Sequence, residues 1–155
     1  MMIVSRKLKC LSLFSSMVVF AVLATECSSQ RTVPLGSWDP VHVSVANDIS
    51  EGVELHIHCR SKEDDLGEHT LTYGNQFDWK FRIDLFVRTL FSCNMSWTDV
   101  DGKLVRGGYA MYNAERDWYR CENQCHFSVR KDCVYGYFKA KDAFECVYRF
   151  PGKAD

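Results

Sequence analysis

Six stretches of this chain alternate apolar and polar side chains with a period of two, and four of the six carry a cysteine on the apolar side. Val41, Val43 and Val45 alternate with His42 and Ser44. Val53, Leu55, Ile57 and Cys59 alternate with Glu54, His56, His58 and Arg60. Phe77, Trp79 and Phe81 alternate with Asp78, Lys80 and Arg82, and Phe91, Cys93, Met95 and Trp97 with Ser92, Asn94 and Ser96. Cys125, Phe127 and Val129 alternate with His126, Ser128 and Arg130. Phe144, Cys146 and Tyr148 face away from Glu145 and Arg149, with Val147 intruding on the polar side. Successive side chains of a strand point to opposite faces, so each stretch reads as a strand with one buried face. Weaker strands are expected at 71–73, 104–112 and 134–138, with turn signals at 48–52, 73–75, 99–102 and 106–108. No stretch sustains the 3.6-residue period of an amphipathic helix. The chain is therefore expected to be all-β: an antiparallel, immunoglobulin-like β-sandwich of about eight strands, stabilised by disulfides. Aromatic residues reach 14%, which agrees, because aromatic and β-branched residues favour strands.

The N-terminal residues have a different character. Arg6, Lys7 and Lys9 precede an apolar run at 11–24. A run of about 14 residues is too short to span a bilayer comfortably. With the small and polar residues after it, this is the layout of a cleaved export signal. A cut after Ala24 would leave an odd number of cysteines, whereas a cut near residue 27 leaves six. Secreted domains rarely keep an odd thiol. Residues 1–27 are therefore expected to be a signal peptide and 28–155 a single secreted, extracellular domain, with no membrane insertion after cleavage. Eight cysteines suit an oxidising compartment. A formal net charge of −1 lacks the basic excess of a nucleic-acid binder.

Cys59, Cys93, Cys125 and Cys146 fall on apolar strand faces, which is most simply two core disulfides. Cys121 and Cys133 flank the strand at 125–130. Pairing them with each other would need both flanks to fold back, because six extended residues span roughly 20 Å and bridged Cα atoms lie within about 7 Å. Six cysteines allow 15 pairings, and spacing does not choose among them.

Several polar segments are candidates for function. His56 and His58 share a strand face and could supply two zinc ligands, with His42 and His126 on other outward faces. A catalytic zinc needs a third ligand and an open position, and no HExxH motif accompanies the pair. Residues filling a solvent face are the plainer reading. Residues 61–69 form a charged loop containing Lys62, Glu63, Asp64, Asp65 and Glu68. They lack the spacing of a calcium loop and read as a solvated surface suited to a protein partner. Residues 113–120 include Arg116, Trp118 and Tyr119, residue types that anchor interfaces. The plainer reading there tucks Trp118 into the core edge. Asn94-Met95-Ser96 is a glycosylation sequon, and the alternation turns Asn94 outward. The nucleophile motif GxSxG and phosphate-binding loops are missing, and bridges account for the cysteines, so neither an enzymatic activity nor a cofactor is expected.

Taken in order, six segments resemble the plant self-incompatibility S-proteins and the S-protein homologues. They are Val41-His-Val-Ser-Val-Ala-Asn47, Leu55-His-Ile-His-Cys59 running on to Gly67, Phe77-Asp-Trp-Lys-Phe81, Thr89-Leu-Phe-Ser-Cys93, Cys125-His-Phe-Ser-Val129 and Cys146-Val-Tyr148. The resemblance covers about 38–150, and its most specific pieces are His58 to Gly67 and the Phe-x-Trp-x-Phe segment. It implies a small secreted β-sandwich, disulfide-bonded and often glycosylated, with no known enzymatic activity, metal or cofactor. The founding members are stigma ligands that trigger rejection of self pollen through a receptor on the pollen tube. Cys59, Cys93, Cys125 and Cys146 match the family's cysteines, and Cys121 and Cys133 match an additional pair seen in part of the family. Family members usually carry Trp at the position of Phe127.

The expectation is thus a monomeric extracellular ligand of a cell-surface receptor. Its recognition loops would be 61–69 first and 113–124 second, because loops vary on a rigid scaffold. A secreted carbohydrate-binding or defence protein using Trp118 and Tyr119 is the competing expectation, and a zinc hydrolase built on His56 and His58 is a third.

Overall fold

Nine strands and one short helix divide the described residues between two packed sheets. The structure is a computed structural model and describes residues 39–84 and 88–151. The expected export signal and its cleavage site lie outside those residues. In chain order the elements are β1 (Val41–Asn47), β2 (Leu55–Arg60), β3 (Asp65–Leu71), β4 (Gln76–Phe81), β5 (Leu90–Thr98), β6 (Leu104–Asn113), α1 (Ala114–Cys121), β7 (Gln124–Val129), β8 (Cys133–Phe138) and β9 (Ala143–Arg149). One sheet has the order β4-β1-β7-β8-β9 and the other β3-β2-β5-β6.

The period-two pattern is what makes these sheets. In β1 the three valines are fully buried and alternate with half-exposed His42, Ser44 and Ala46. In β5, Phe91, Cys93, Met95 and Trp97 are buried and Asn94 is exposed. The inward faces meet in one core, where Trp97 packs edge-on against Phe150 and Tyr109 against Phe127. Burying side chains of this kind, at roughly 1.5–3 kcal/mol each, is the main drive for the fold.

Strand direction sorts the connections into two groups. Turns β1–β2, β3–β4, β5–β6 and β7–β8 lie at one end of the sandwich. The β2–β3 turn, the β4–β5 connection, α1 and the β8–β9 connection lie at the other, the helix end. Every pair is antiparallel except β1 with β7. Those two are parallel because β6 ends where β1 begins and α1 crosses between the sheets at that same end, so β7 starts beside the start of β1.

Several features differ from the sequence reading. Residues 106–108, read as a turn, lie inside β6, and of the strand expected at 71–73 only Leu71 is in a strand, the end of β3, with 72–75 turning into β4. Residues 114–121, read as part of a loop, form α1. The charged segment 61–69 is a short turn followed by the first five residues of β3, which starts at Asp65. In β9, a register shift against β8 between Val134 and Tyr135 leaves Val147 unpaired. Such a bulge turns the strand, so Val147 packs on the core while Cys146 is exposed. The disulfides are Cys59–Cys93, Cys121–Cys125 and Cys133–Cys146. Cys121 and Cys133, which the resemblance pairs, each bond a cysteine assigned to the core instead. The turn after α1 brings Cys121 back within 5.0 Å (Cα–Cα) of Cys125, only four residues on.

Candidate recognition surface

The helix end gathers both segments singled out for recognition. In the β2–β3 turn, Ser61 Oγ accepts the N–H of Glu63 (3.2 Å) and of Asp64 (2.9 Å), while the Ser61 N–H donates to the Asp64 carbonyl (2.7 Å). A hydroxyl that satisfies two consecutive N–H groups fixes a tight turn, and Lys62, Glu63 and Asp64 project from it into solvent. A cleft of about 510 Å³ separates this turn from the β4–β5 connection, lined by Arg60, Lys62, Asp64, Asp84 and Leu90 among others. On the far side of that connection, the Ala114 N–H donates to the Thr89 carbonyl (3.0 Å), which brings α1 alongside.

The start of α1 is set by Asn113, whose side chain accepts the Arg116 N–H (3.2 Å). Asp117 is fully buried and anchors the helix. Its carboxylate accepts hydrogen bonds from Arg120 Nε (2.8 Å), from Arg116 Nε (2.8 Å) and Nη2 (2.6 Å), and from the Asn113 N–H (2.8 Å). Arg120, also buried, lays its guanidinium 4.5 Å from the Phe127 ring centre and donates to the Tyr137 carbonyl (3.2 Å). Gly136 makes room for it, since a Cβ there would stand 2.5 Å from Arg120 Nη1. Burial pulls the Arg116 guanidinium down, but the hydrogen bonds and charge of Asp117 outweigh that and raise it above its ordinary value. Arg116 is therefore spent on the scaffold. Trp118 is half-buried and Tyr119 is 40% exposed, so the outward aromatic of this segment is Tyr119.

The remaining candidates lie on sheet faces rather than at the ends. His56, His58, Glu68, Thr70, Asn94 and Arg106 share the outer face of the four-stranded sheet, around a shallow depression of about 650 Å³. His58 Nε2 donates to Asp65 Oδ1 (2.6 Å), and His56 Nδ1 lies 3.0 Å from Thr70 Oγ1. The His58 hydrogen bond, with help from the Gly67 N–H, holds the Asp65 carboxyl below its ordinary value. His42 and His126 belong to the other sheet, on β1 and β7, so they do not converge with His56 and His58. Among the described residues no three His, Cys, Asp or Glu side chains come together to hold a metal. Asn94 stands exposed across from His58 and Gly108, midway between the two ends. Asp117 and Arg120 were not singled out in the sequence; their spacing of three, beside Arg116, is the signal that was present.

Residues 42–150 match the model of the plant self-incompatibility protein S1 family. S-protein homolog 27 of Arabidopsis thaliana is 36% identical over 139 residues, covering 86% of this chain and 87% of that protein. Self-incompatibility protein S1 of Papaver rhoeas is 35% identical over 103 residues, covering 66% of this chain and 71% of the relative. Two further Arabidopsis thaliana homologues match over 52% of their own length. A solved SPH (self-incompatibility protein homologue) structure, from a family described as small, highly stable, secreted plant proteins, superposes with a TM-score of 0.56. It is 18% identical and covers 72% of this chain and 95% of that one.

Proposed function

The chain belongs to the plant self-incompatibility protein S1 family, and from that premise we propose that it is a secreted ligand read by a cell-surface receptor through its helix end. Residues 1–27 are the export signal in this reading, 28–155 the mature monomeric domain, and Asn94 carries a glycan. The observation that supports it is the gathering of the β2–β3 turn and α1 at one end, each fixed by its own hydrogen bonds. A pre-ordered loop surface loses less entropy on binding. Lys62, Glu63, Asp64 and Tyr119 supply the contacts, with Asp65 and Glu68 on the adjoining edge strand. A glycan at Asn94 would cover the middle of one sheet face and leave both ends open. The protein acts by binding and carries out no chemistry. The test is saturable binding of the labelled protein to intact pollen tubes and to other plant cells. Charge reversal of Glu63 and Asp64 together, or Tyr119→Ala, should weaken it by tenfold or more. Undiminished binding by both variants overturns the assignment to this end.

One observation favours glycan binding as a second reading. On the outer face of the five-stranded sheet, His126, Tyr137 and Phe144 form a row across three strands, with ring centres 6.4 and 5.4 Å apart. Aromatic faces flanked by polar groups suit sugar rings. Glycan-array binding that disappears in Phe144→Ala would support it, and a blank array would dispose of it.

A further inference from the structure

A buried asparagine organises the end of the sandwich away from α1. Asn47, the last residue of β1, is fully buried. Its Nδ2 donates to the carbonyls of Val53 (2.9 Å) and Leu71 (2.8 Å), and its Oδ1 accepts the Ile49 N–H (3.1 Å). Its backbone carbonyl accepts the Gly74 N–H, and its own N–H donates to the Asn75 carbonyl. One residue thereby fixes the β1–β2 and β3–β4 connections to each other. The β5–β6 turn is fixed separately, by Asp99 Oδ1 accepting the N–H groups of Asp101 and Lys103.

These rigid connections present apolar side chains to water. Tyr73, Val100 and Leu104 are 52%, 68% and 50% exposed, half of the large exposed hydrophobics among the described residues. Beside Tyr73 lies an open depression of about 410 Å³, lined by Val53, Glu54, Thr72 and Thr98 among others. Leu104 pairs with Thr98 in register on the same face. Glu54 is exposed and takes part in no ion pair among the described residues. The four connections at this end, 48–54, 72–75, 99–103 and 130–132, carry Asp48, Glu51, Glu54, Asp99, Asp101 and Asp132 against Lys103, Arg130 and Lys131.

A carboxylate that lines a depression with a tyrosine, with a leucine paired to the depression's Thr98, at an end whose connections are net acidic, matches the chemistry of an arginine. Its planar guanidinium takes the carboxylate in a two-pronged hydrogen bond. Its stem lies along apolar surface and its charge over an aromatic ring. We propose that this end is a second binding surface, separate from the helix end, which accepts an exposed arginine from a basic segment of a partner protein. Glu54 is the carboxylate, and Tyr73 and Leu104 are the flanking apolar surfaces.

The test uses the secreted, disulfide-bonded protein, isotope-labelled for NMR. The probe is a capped peptide, Leu-Arg-Trp-Arg-Leu, and the control replaces both arginines by citrulline. The arginine peptide should shift the amides of Glu54, Tyr73 and 98–104, and added salt should weaken it. Glu54→Gln should weaken it about tenfold, the loss of one charge-assisted pair, while the rest of the spectrum stays unchanged. Equal binding of the citrulline peptide, indifference to Glu54→Gln, or no shift at this end up to millimolar peptide would overturn the proposal. Charge reversal of Glu63 and Asp64 at the helix end should leave peptide binding intact, so this surface and the receptor reading can fail separately.

Discussion

Replacing Asn47 by leucine keeps most of the side-chain volume and deletes three hydrogen bonds at once. It leaves the carbonyls of Val53 and Leu71 and the N–H of Ile49 without that partner, and all three residues are buried. An unpartnered buried polar group costs about 1–3 kcal/mol. Connections near the surface admit water, which places each group at the low end, for a sum of about 3 kcal/mol. That is a large share of the roughly 5–15 kcal/mol by which a domain is stable. With a guanidinium chloride slope of about 3 kcal/mol per molar, the unfolding midpoint should fall by about 1 M. Asn47→Asp keeps the acceptor oxygen, loses both donors and buries a charge, so it should fall further than the leucine variant. Hydrogen exchange should locate the damage, with amides at 48–54 and 72–75 losing protection while β8 and β9 keep theirs. A midpoint shift below a third of the expected size, or loss of protection spread evenly over the sandwich, would refute the organising role of Asn47.

Other outcomes follow from the same geometry. Asp117→Ala strands the buried Arg120 guanidinium and should cost about 3–5 kcal/mol in the same denaturation assay; a cost under about 1 kcal/mol would show that the helix does not depend on it. Peptide mapping under non-reducing conditions should recover Cys59–Cys93, Cys121–Cys125 and Cys133–Cys146, and a Cys121–Cys133 link would contradict the fold at β7. On loop length alone, removing Cys59–Cys93, with a separation of 34 residues, should cost about 4 kcal/mol, against about 2 kcal/mol for Cys121–Cys125, with a separation of 4. The Asp65 carboxyl is depressed in the folded state below 3.8, first by the hydrogen bond from His58. Its contribution to stability is therefore present above the unfolded value and lost as pH falls through the folded one. In an NMR titration His58→Ala should move the Asp65 midpoint up towards 3.8, and a wild-type midpoint already at 3.8 would sink the interaction.

Much of the sandwich is legible in the sequence because alternation is a local signal. Val41 to Val45 and Phe91 to Trp97 show which face is buried without reference to any other strand. Helix α1 is not legible that way. Its buried positions, Ala114, Asp117, Arg120 and Cys121, have helical spacing, but two of them are charged, so no apolar stripe marks the helix. The two charged ones can be buried because Asp117 meets Arg116 and Arg120 in three dimensions. Alternation puts Cys146 on the apolar face, but a bulge at Val147 shifts the face of β9, and nothing in Phe144 to Tyr148 announces a bulge. The charged turn at 61–64 stands out as a local run of charge. The acidic end around Glu54 and Tyr73 draws on three connections that are far apart in the chain, and only the topology brings them together.

The most direct test of the ligand reading is binding of the labelled protein to intact plant cells before and after the cell surface is treated with protease. Saturable binding that protease abolishes and wall-polysaccharide hydrolases leave intact is the predicted result. Binding that survives protease and disappears with the polysaccharide hydrolases would contradict it and point to glycan recognition. No saturable binding to any cell type would contradict both.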